Sequence, residues 1–379
     1  MSSRLWVVSA PNKPDRSSFS HIQDTLQKRD ALCNAYSLQL PDFRVGTLDS
    51  LIAVADAIAR DDKTLEATVE RILRQYRELV RMPSAIPLVE DVDILEYVTD
   101  FIWDEAKFAS SDSLSEIRTA IMEQVLSLEE DMKIRLNDYT NTRQAITAIE
   151  RRSQGNLMTR SLATVVEAEH VVETEHLTTV YVLFPSYNEP EFLTCYETLA
   201  DFVVPRSAKK IQSDNEYILY GVAVFKNSVD DFKSAARERR YTVRDFKFDP
   251  NAKINSAAEE QSLKEDAGEQ LSTFSKWAET AFAETFIAMV HLKALRSFAE
   301  SVLRYGLPVN FDVALLAPKG KSESRLRQSL NEMFAHLGGS WAAVSEADEV
   351  TNIPGIVADR DFYPYVYFEL PIPTGKSSS

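Results

Sequence analysis

The chain has 379 residues, of which 44% are hydrophobic, so it is long enough to bury a large core in two or three domains. Its formal charge is −16, and the acidic excess is spread along the sequence. No segment offers the positive field that a phosphate backbone requires, which argues against nucleic acid as a partner. Only 10 glycines are present, with no GxxxxGK[ST] or GxGxxG run, and this excludes the common glycine-rich phosphate loops.

The cysteines and the N-terminal sequence indicate the compartment. Cys33 and Cys195 lie in unrelated segments and are expected to be reduced thiols. The sequence MSSRLWVVSAP has no basic region before a long apolar stretch, and no apolar run approaches the ~20 residues of a membrane span. We therefore expect a soluble cytosolic chain that reaches any membrane through another protein.

Short strand-like and helical segments alternate over the first 110 residues. RLWVVSA (4–10) and YSLQL (36–40) have the composition of strands, and FRVGTLDSL (43–51) predicts a turn into a helix. Residues 64–80 predict an amphipathic helix, which the proline-bearing MPSAIPLVE (82–90) ends.

Two long segments then have apolar residues at helical spacing. The first runs from Leu114 to Ile149 and predicts a helix of about 54 Å at 1.5 Å per residue. The second runs from Leu263 to Val302, with Gly268 as a local weakness of ~1 kcal/mol. Both apolar stripes are narrow, so the two helices are predicted to pack antiparallel as a stalk.

The segment between these helices has the pattern of a small mixed domain. Strands are predicted at 176–184, 217–225 and 241–248, and helices at 190–202 and 230–240. After the second long helix, strands are predicted at 309–318 and 363–370, with an amphipathic helix at 322–336 between them. These last strands need a sheet, and the N-terminal strands are the available partners.

The predicted fold is therefore α+β, an elongated dumbbell with two small mixed end domains joined by a neck of long antiparallel helices. The predicted boundaries are 1–110 (foot, N-terminal part), 111–156 (neck helix 1), 157–250 (head, an inserted domain), 251–305 (neck helix 2) and 306–379 (foot, C-terminal part).

Few residues have the spacing of a catalytic or metal site. The five histidines form no HExxH motif, and His291, on an apolar helix, is interpreted as a hydrogen-bonded core residue. No GxSxG is present, and the acidic run at 129–131 is typical of a charged helix flank. We predict no catalytic residues, no cofactor and no metal.

Two basic runs, PRSAKK (205–210) and RERRYTVR (237–244), concentrate positive charge in the middle segment. They would be either a solvated face or a contact for an acidic protein partner. The candidate partner-binding residues are Arg206, Lys209, Lys210, Arg237, Arg239 and Arg240.

The end of the second long helix, FAESVLRYGLPVNF (298–311), has two interpretations. Glu300, Arg304 and Tyr305 would be chemical groups if the chain were an enzyme, but residues at this spacing ordinarily form an ion pair or a packing contact. Gly306 followed by Pro308 instead predicts a left-handed helix cap and a structural joint.

Seven runs of the sequence together resemble the C subunit of the eukaryotic vacuolar-type (V-type) proton-pumping ATPase. In order along the chain they are GTLDSLIAV, FIWDEAKF, RSLATVV, TEHLTTV, YETLADFVVPRS, FIAMVHLKALRSFAESVLRYGLPVNF and YPYVYFEL. The resemblance covers nearly the whole chain. It departs after a strand, where this chain has Phe184, Pro185 and Ser186 and the family usually has a lysine following "VP", so a partner contact there would be altered.

The resemblance implies a non-catalytic stator subunit with a head, a neck and a foot. The head would hold one E–G peripheral stalk, and the foot a second E–G stalk and the cytosolic part of the membrane-embedded a subunit. It implies a role in assembly, reversible dissociation and organelle acidification, with the protein on the cytosolic face of the vacuole and other endomembranes when assembled and free in the cytosol when released. Some members bind actin filaments, so an actin-binding cytoskeletal scaffold is the alternative.

Overall fold

The computed structural model describes residues 3–320, 322–337 and 363–375. Its residues form two compact units. Unit 1 comprises Met1–Arg135 and Thr273–Ser379, and unit 2 comprises Leu136–Ser272. The five ranges predicted from the sequence divide the chain more finely than these two units and stay predictions.

The described residues form eight strands and eight α-helices. The strands are β1 (Ser3–Pro11), β2 (Cys33–Leu38), β3 (Leu177–Pro185), β4 (Lys209–Ser213), β5 (Tyr217–Phe225), β6 (Thr242–Arg244), β7 (Phe311–Pro318) and β8 (Val366–Ile372). The helices are α1 (Ser18–Ile22), α2 (Leu48–Val80), α3 (Ile94–Thr99), α4 (Leu114–Gln154), α5 (Glu189–Cys195), α6 (Val229–Glu238), α7 (Ala252–Tyr305) and α8 (Glu323–Phe334). The coarse prediction of long helices with mixed α and β segments is confirmed.

The sheet of unit 1 joins the two ends of the chain. Its strand order is β2-β7-β1-β8, all antiparallel, with Trp6 opposite Leu316 and Val7 opposite Phe368. This confirms that the late strands pair with the N-terminal ones. Alternate residues of β1 face opposite sides, so Trp6 and Val8 pack with α1 and α8 in one cluster, while Ser9 contacts α7 on the other side.

Helix α7 is the centre of unit 1. From Ala281 to Val302 nearly every residue is buried. The narrow stripe predicted for this helix is therefore wrong over these residues, because a helix that is apolar nearly all round is surrounded by other elements. Phe286, Phe298 and Ala299 are among the side chains at or below 2% exposure.

Helix α2 is longer than the predicted 64–80. It begins after Thr47, whose hydroxyl accepts from the Ser50 amide at 3.3 Å, and it continues without a break to Val80. Leu51, Ile58 and Leu65 are buried on one face, which extends the amphipathic pattern of 64–80 toward the N-terminus. Arg81 then ends the helix with φ +57°.

Within unit 1, α4 and α7 run antiparallel. Gln124 on α4 donates to Glu284 at 2.9 Å, and further along α4 the Arg135 guanidinium lies over the Trp277 ring at 5.1 Å. As the α4 position advances, the α7 position recedes. Antiparallel packing is therefore confirmed within this unit.

Unit 2 contains a second antiparallel sheet with strand order β4-β5-β3-β6. The even-numbered residues of β3 pack with α5 and α6, as Val182 and Phe184 do against Phe192 and Phe232. The odd-numbered Tyr181 and Leu183 pack on the other face with the segment from Leu157 to Val166. Both faces of the sheet are thus covered, which accounts for the continuous apolar run of β3.

Two strand predictions need correction, and one strand was not predicted. The predicted YSLQL strand is displaced, because β2 begins at Cys33, where its register with Pro318 of β7 starts. The predicted strand 241–248 pairs only over Thr242–Arg244, and Phe246 and Phe248 pack on the sheet face instead. Strand β4 was not predicted, because its exposed lysines hide the alternation that marks a strand.

Candidate interaction surfaces

The first basic run lies along one edge of the sheet of unit 2. Lys209 and Lys210 begin β4, which is an edge strand, and both side chains are exposed. Lys210 Nζ lies 3.1 Å from Glu189 Oε1, and the Tyr220 hydroxyl donates to the same oxygen at 2.8 Å. These two hydrogen bonds, with that of Tyr220 the larger effect, lower the pKa of Glu189. Lys210 is therefore partly neutralised within the fold.

The second basic run ends α6 in a Schellman cap. The Tyr241 amide donates to Ala236 O and the Arg240 amide to Arg237 O, both at 2.9 Å, and Arg240 has φ +62°. Glycine is the usual residue at this position because it adopts positive φ without strain. Arg240 therefore places an exposed cation at a position where the backbone favours glycine.

Arg206 is a second cation in a left-handed conformation, with φ +58°. Its amide donates to Glu197 Oε1 at 2.9 Å, and this bond, together with the Tyr196 hydroxyl, lowers the pKa of the Glu197 carboxyl. The side chain of Arg206 is exposed, as are those of Arg237 and Arg239.

The two basic runs lie on different elements of unit 2. Lys209 and Lys210 are on β4, which is one edge of the sheet, whereas Arg237, Arg239 and Arg240 are on α6 and its C-terminal cap, just before the opposite edge strand β6. Arg244, in the second run, is half-buried and donates to Leu157 O at 3.0 Å and to Arg160 O at 2.5 Å. Arg244 thus stabilises the domain and is not part of a free basic surface.

Ser186, where the sequence resemblance leads us to expect a lysine, follows β3 directly. Its amide donates to Glu216 O at 2.9 Å, and its side chain is exposed beside Tyr187, which is 79% exposed. Within the described residues only the backbone of Ser186 forms a hydrogen bond, and an altered partner contact at this position stays a prediction.

Gly306 ends α7 in the left-handed conformation. Its φ is +80°, its amide donates to Val302 O at 2.9 Å, and no heavy atom lies within 4 Å of the position that a Cβ would take. Any L-residue there would meet backbone strain rather than a steric clash. The Leu307–Pro308 peptide is cis, and β7 begins at Phe311. The role of Gly306 and Pro308 as a structural joint stays a prediction.

The three groups of the enzyme interpretation each have a structural partner. Glu300 accepts from Arg296 at 2.6 Å, and Arg304 donates to Tyr363 O at 2.9 Å. The Tyr305 hydroxyl donates to Ser9 O at 2.7 Å and accepts from the Val366 amide at 3.1 Å, so it bridges β1 and β8 where Ser9 and Val366 are opposite. Glu300 thus forms an i,i+4 ion pair within α7, while Arg304 and Tyr305 attach the end of α7 to the residues around it.

His291 is a hydrogen-bonded core residue, as predicted. Nδ1 donates to Ile287 O at 2.8 Å, and Nε2 accepts from the Asp104 amide at 3.1 Å. The ring is enclosed by Phe101, Trp103 and Phe108, and burial lowers its pKa to about 4. His291 is therefore neutral near pH 7 and attaches the 101–108 loop to α7.

The described residues contain neither a metal-type cluster nor a membrane-type helix. No group of three or more His, Cys, Asp or Glu residues within them has the arrangement of a metal site. In the same residues, no helix is both long enough and apolar enough to span a bilayer. Burial raises the pKa of the Cys33 thiol to about 11, which makes that thiol unreactive.

Comparison with known proteins gives one consistent family. The family model for the V-ATPase C subunit matches residues 5–366. The chain belongs to the V-ATPase C-subunit family. It is 38% identical over 375 residues to the V-type proton ATPase C subunit of Arabidopsis thaliana, covering 98% of this chain and 99% of that protein. It is 37% identical to the V-type proton ATPase C 1 subunit of Rattus norvegicus, with 97% of each chain covered.

One similar solved structure is the cytoplasmic N-terminal domain of the I subunit, a homolog of the a subunit of V-ATPase, at 16% identity and a TM-score of 0.26. It covers 86% of this chain and 97% of that one. A likeness this low carries no argument about fold.

This member of the C-subunit family also contains a buried ionic network that was not predicted from its sequence. Lys293 Nζ contacts Asp62 Oδ2 at 2.8 Å, Glu66 Oε1 at 2.5 Å and Glu369 O at 2.8 Å, and its side chain is 3% exposed. Arg296 donates to the same Asp62 oxygen at 2.6 Å, and its guanidinium lies 4.5 Å from the centre of the Phe368 ring. The network joins α2, α7 and β8.

One signal for this network was available in the sequence. Lys293 and Arg296 interrupt the apolar run FIAMVHLKALRSFAE, and a helix buried all round tolerates cations only when they are paired. Their partners Asp62 and Glu66 lie more than 200 positions away, so spacing alone did not reveal them.

Proposed function

We propose that this chain is a non-catalytic stator subunit of the cytosolic sector of the vacuolar proton-pumping ATPase. Unit 2 contains the head, which binds one E–G peripheral stalk. Residues of unit 1 form the foot, which binds a second E–G stalk and the cytosolic domain of the membrane-embedded a subunit. The observation that carries the proposal is the family match over residues 5–366, which spans both units.

The long helices support this role. Helix α4 has 41 residues and α7 has 54, which corresponds to roughly 60 and 80 Å of continuous helix. The division between the two units falls inside both helices. A rotary motor applies torque between its rotor and its static parts, and helical elements of this length are suited to joining distant points of a stator.

Two linked binding sites also reconcile firm attachment with release. When one end is bound, binding at the other end becomes intramolecular, and avidity exceeds either affinity by ~10²–10⁴. When one of the two contacts is lost, this gain in avidity is lost as well. The same geometry therefore supports reversible dissociation of the pump, with the chain in the cytosol when released and on the cytosolic face of endomembranes when bound.

The exposed cations of unit 2 are the proposed contact for E–G. Arg206, Lys209, Arg237, Arg239 and Arg240 are exposed, and the described residues supply no ion pair for any of them. Lys210 is shared with Glu189. The chain has a net charge of −16, so these cations form a local positive surface. Such a surface favours an acidic partner, because it speeds the encounter electrostatically and complements the partner's negative charge.

The test is reconstitution. Pumps stripped of their own C subunit are supplied with this chain, and its retention and ATP-driven proton transport are measured. We expect both to be restored, with no ATP hydrolysis by the chain alone. If the chain instead co-sediments with actin filaments and does not bind the other pump proteins, the scaffold alternative is correct.

The surface assignment is tested separately. The quadruple reversal of Lys209, Lys210, Arg239 and Arg240 to Glu is expected to weaken E–G binding and to flatten its salt dependence. Reversal of Lys133 and Lys276, which are exposed on α4 and α7 of unit 1, is the matched control and should leave binding by unit 2 unchanged. If both variants lost the same amount of E–G affinity, the assignment of the unit 2 cations to the E–G contact would be contradicted.

A further inference from the structure

A small pocket in unit 1 has a lining that is basic and free of carboxylates. It has a volume of about 140 Å³ and lies between the N-terminal turn, α1 and the end of α8. Its polar lining consists of Lys13, Arg16, His21 and His336, with the hydroxyls of Ser17 and Ser18. This group of two permanent cations and two imidazoles in one pocket contrasts with the net charge of −16 of the whole chain.

A tight turn holds the two permanent cations together. The Lys13 amide donates to Arg16 O at 3.0 Å, and the Arg16 amide donates to Lys13 O at 3.2 Å. Arg16 Nη2 binds Asp24 Oδ2 at 2.6 Å and Ser20 O at 3.4 Å, which leaves its Nε and Nη1 donors unused within the described residues. In the same residues, no hydrogen bond or ion pair uses the Lys13 ammonium.

The serine hydroxyls and the nearby carboxylate are already satisfied. Ser17 Oγ donates to Asp312 Oδ2, and Ser18 Oγ donates to Pro11 O at 2.5 Å. Asp312 also accepts from Asn12 Nδ2 at 2.9 Å and from the Phe19 amide at 3.2 Å. The unused donors of the pocket are therefore the basic side chains.

His21 is the incompletely satisfied group of the pocket. Its Nδ1 is buried and has no hydrogen-bond partner among the described residues. Burial, followed by repulsion from Arg16 and Lys13, lowers its pKa, with a further lowering from His336 and an opposing contribution from Asp24. A buried unpartnered nitrogen in a positive field is the environment that a bound anion would complete.

We propose that this pocket binds a small phosphate-type oxyanion, either inorganic phosphate or the phosphoryl group of a small phosphomonoester, through Lys13, Arg16 and His21. A volume of about 140 Å³ accommodates one tetrahedral oxyanion and is smaller than the ~300–1,000 Å³ of ordinary small-molecule pockets. Arg16 and Lys13 offer the charge-assisted donors that such an anion requires. The inference does not depend on the role of the chain in the pump.

The test uses the intact chain, with histidine ring NMR signals recorded during titration at constant ionic strength. The probes are inorganic phosphate, glycerol phosphate and sulfate, and sulfate stays divalent across the pH range used. We expect saturable binding of each, a rise of the His21 pKa on saturation, and sulfate binding that is about tenfold tighter at pH 5.5 than at pH 8.

Variants locate the binding. Lys13→Gln is expected to weaken sulfate binding about tenfold, and His21→Gln to reduce its pH dependence. Lys63→Gln, at an exposed position of α2, is the matched control and should leave the affinity unchanged.

Three results would overturn the proposal. The first is no saturable binding of any free anion, and the second is binding that Lys13→Gln and Lys63→Gln change equally. The third is binding to phosphoinositide vesicles without binding of free phosphate or glycerol phosphate, because it would assign the basic residues to a membrane surface instead of a pocket.

Discussion

The two sheets of this molecule have the same size and the same antiparallel pairing, but the chain builds them in different ways. Every strand of the unit 2 sheet lies between Leu177 and Arg244. The unit 1 sheet pairs β1 with β7 and β8, so residues from the two ends of the chain, such as Trp6 and Leu316, are neighbours. Local pairing costs less loop-closure entropy than pairing of distant segments.

This difference separates a unit made from one continuous segment from a unit that needs both ends of the chain. Unit 2 is a single continuous segment, whereas unit 1 is completed only when residues after Thr273 arrive. Unit 1 accordingly contains the interactions that hold distant segments together: the Lys293 network, the His291 hydrogen bonds and the Tyr305 bridge. Changes to these groups are expected to affect unit 1 far more than unit 2.

The largest effect is expected from Lys293→Met. Removal of this cation leaves the buried Asp62 with Arg296 as its one remaining cation and leaves the half-buried Glu66 without its ion pair, which is expected to cost about 3 kcal/mol of unfolding free energy. All four tryptophans, Trp6, Trp103, Trp277 and Trp341, belong to the ranges of unit 1, so urea unfolding followed by tryptophan fluorescence reports on that unit.

The matched control is Lys264→Met in unit 2. Lys264 also forms two ion pairs, with Glu260 at 2.6 Å and Glu150 at 3.6 Å, but its side chain is 45% exposed. Exposed pairs contribute about 0–1 kcal/mol, so a small change is expected. Both lysine variants are therefore also compared by circular dichroism during urea unfolding, which reports on unit 2 as well as unit 1. Equal costs for the two lysines would show that burial does not distinguish the two units.

The second effect is a pH dependence in unit 1. The folded-state pKa of His291 is about 4, below the ordinary 6.5, so its contribution to stability is complete above pH 6.5 and is lost as the pH falls toward 4. The loss is about 3 kcal/mol over this window. The stability advantage of the wild type over His291→Leu should therefore shrink between pH 7 and pH 4, as measured by urea unfolding at each pH.

Carboxylates contribute equally to both proteins and cancel in this difference. Ser297→Ala, at a buried position of α7 that carries no titratable group, is the control and should give a difference that is flat with pH. A flat difference for His291→Leu as well would mean that His291 is not buried in its neutral form.

Two glycines with equally open surroundings separate the effect of backbone conformation on stability from the effect of steric space. Neither Gly306 nor Gly268 has a heavy atom within 4 Å of the position of an added Cβ, but Gly306 has φ +80° and Gly268 lies inside α7. Gly306→Ala should destabilise by ~1–2 kcal/mol. Gly268→Ala should stabilise by up to ~1 kcal/mol. Thermal unfolding of the two variants measures the signs, and the same sign for both would contradict the conformational explanation.

The smallest expected effect concerns Arg240. Arg240→Gly relieves the positive φ of the Schellman cap and should stabilise unit 2 by up to ~1 kcal/mol, while it weakens E–G binding. Arg237→Gly, inside α6, should destabilise by ~1 kcal/mol and is the control for lost charge. If Arg240→Gly stabilised unit 2 and left E–G binding unchanged, Arg240 would have no role in that contact.

Local patterns in the sequence predicted much of the secondary structure. The long helices α4 and α7, the strands β1, β3, β5 and β7, and the core position of His291 follow from apolar spacing and composition. The positive φ of Gly306 follows from its place between a helix end and Pro308. Each of these features is decided by residues a few positions apart.

What could not be predicted depends on residues far apart in sequence. The Lys293 network pairs α7 with α2, and the anion pocket combines the Lys13–Arg16 turn with His336 from the other end of the chain. The two basic runs look alike in the sequence, but the first lies on the edge strand β4 and the second mostly on α6 and its cap, and Arg244 of the second run is used inside the fold. The spacing of residues along the sequence does not indicate how close they lie in the folded structure.

The central claim is that the chain is a clamp with one E–G site at each end. The most direct measurement is the stoichiometry of purified E–G bound to the intact chain at saturation, determined by calorimetry and by mass. The account predicts two E–G heterodimers per chain, one of which is lost when Lys209, Lys210, Arg239 and Arg240 are reversed to Glu. One E–G per chain at saturation, or two that both survive the charge reversal, would contradict it.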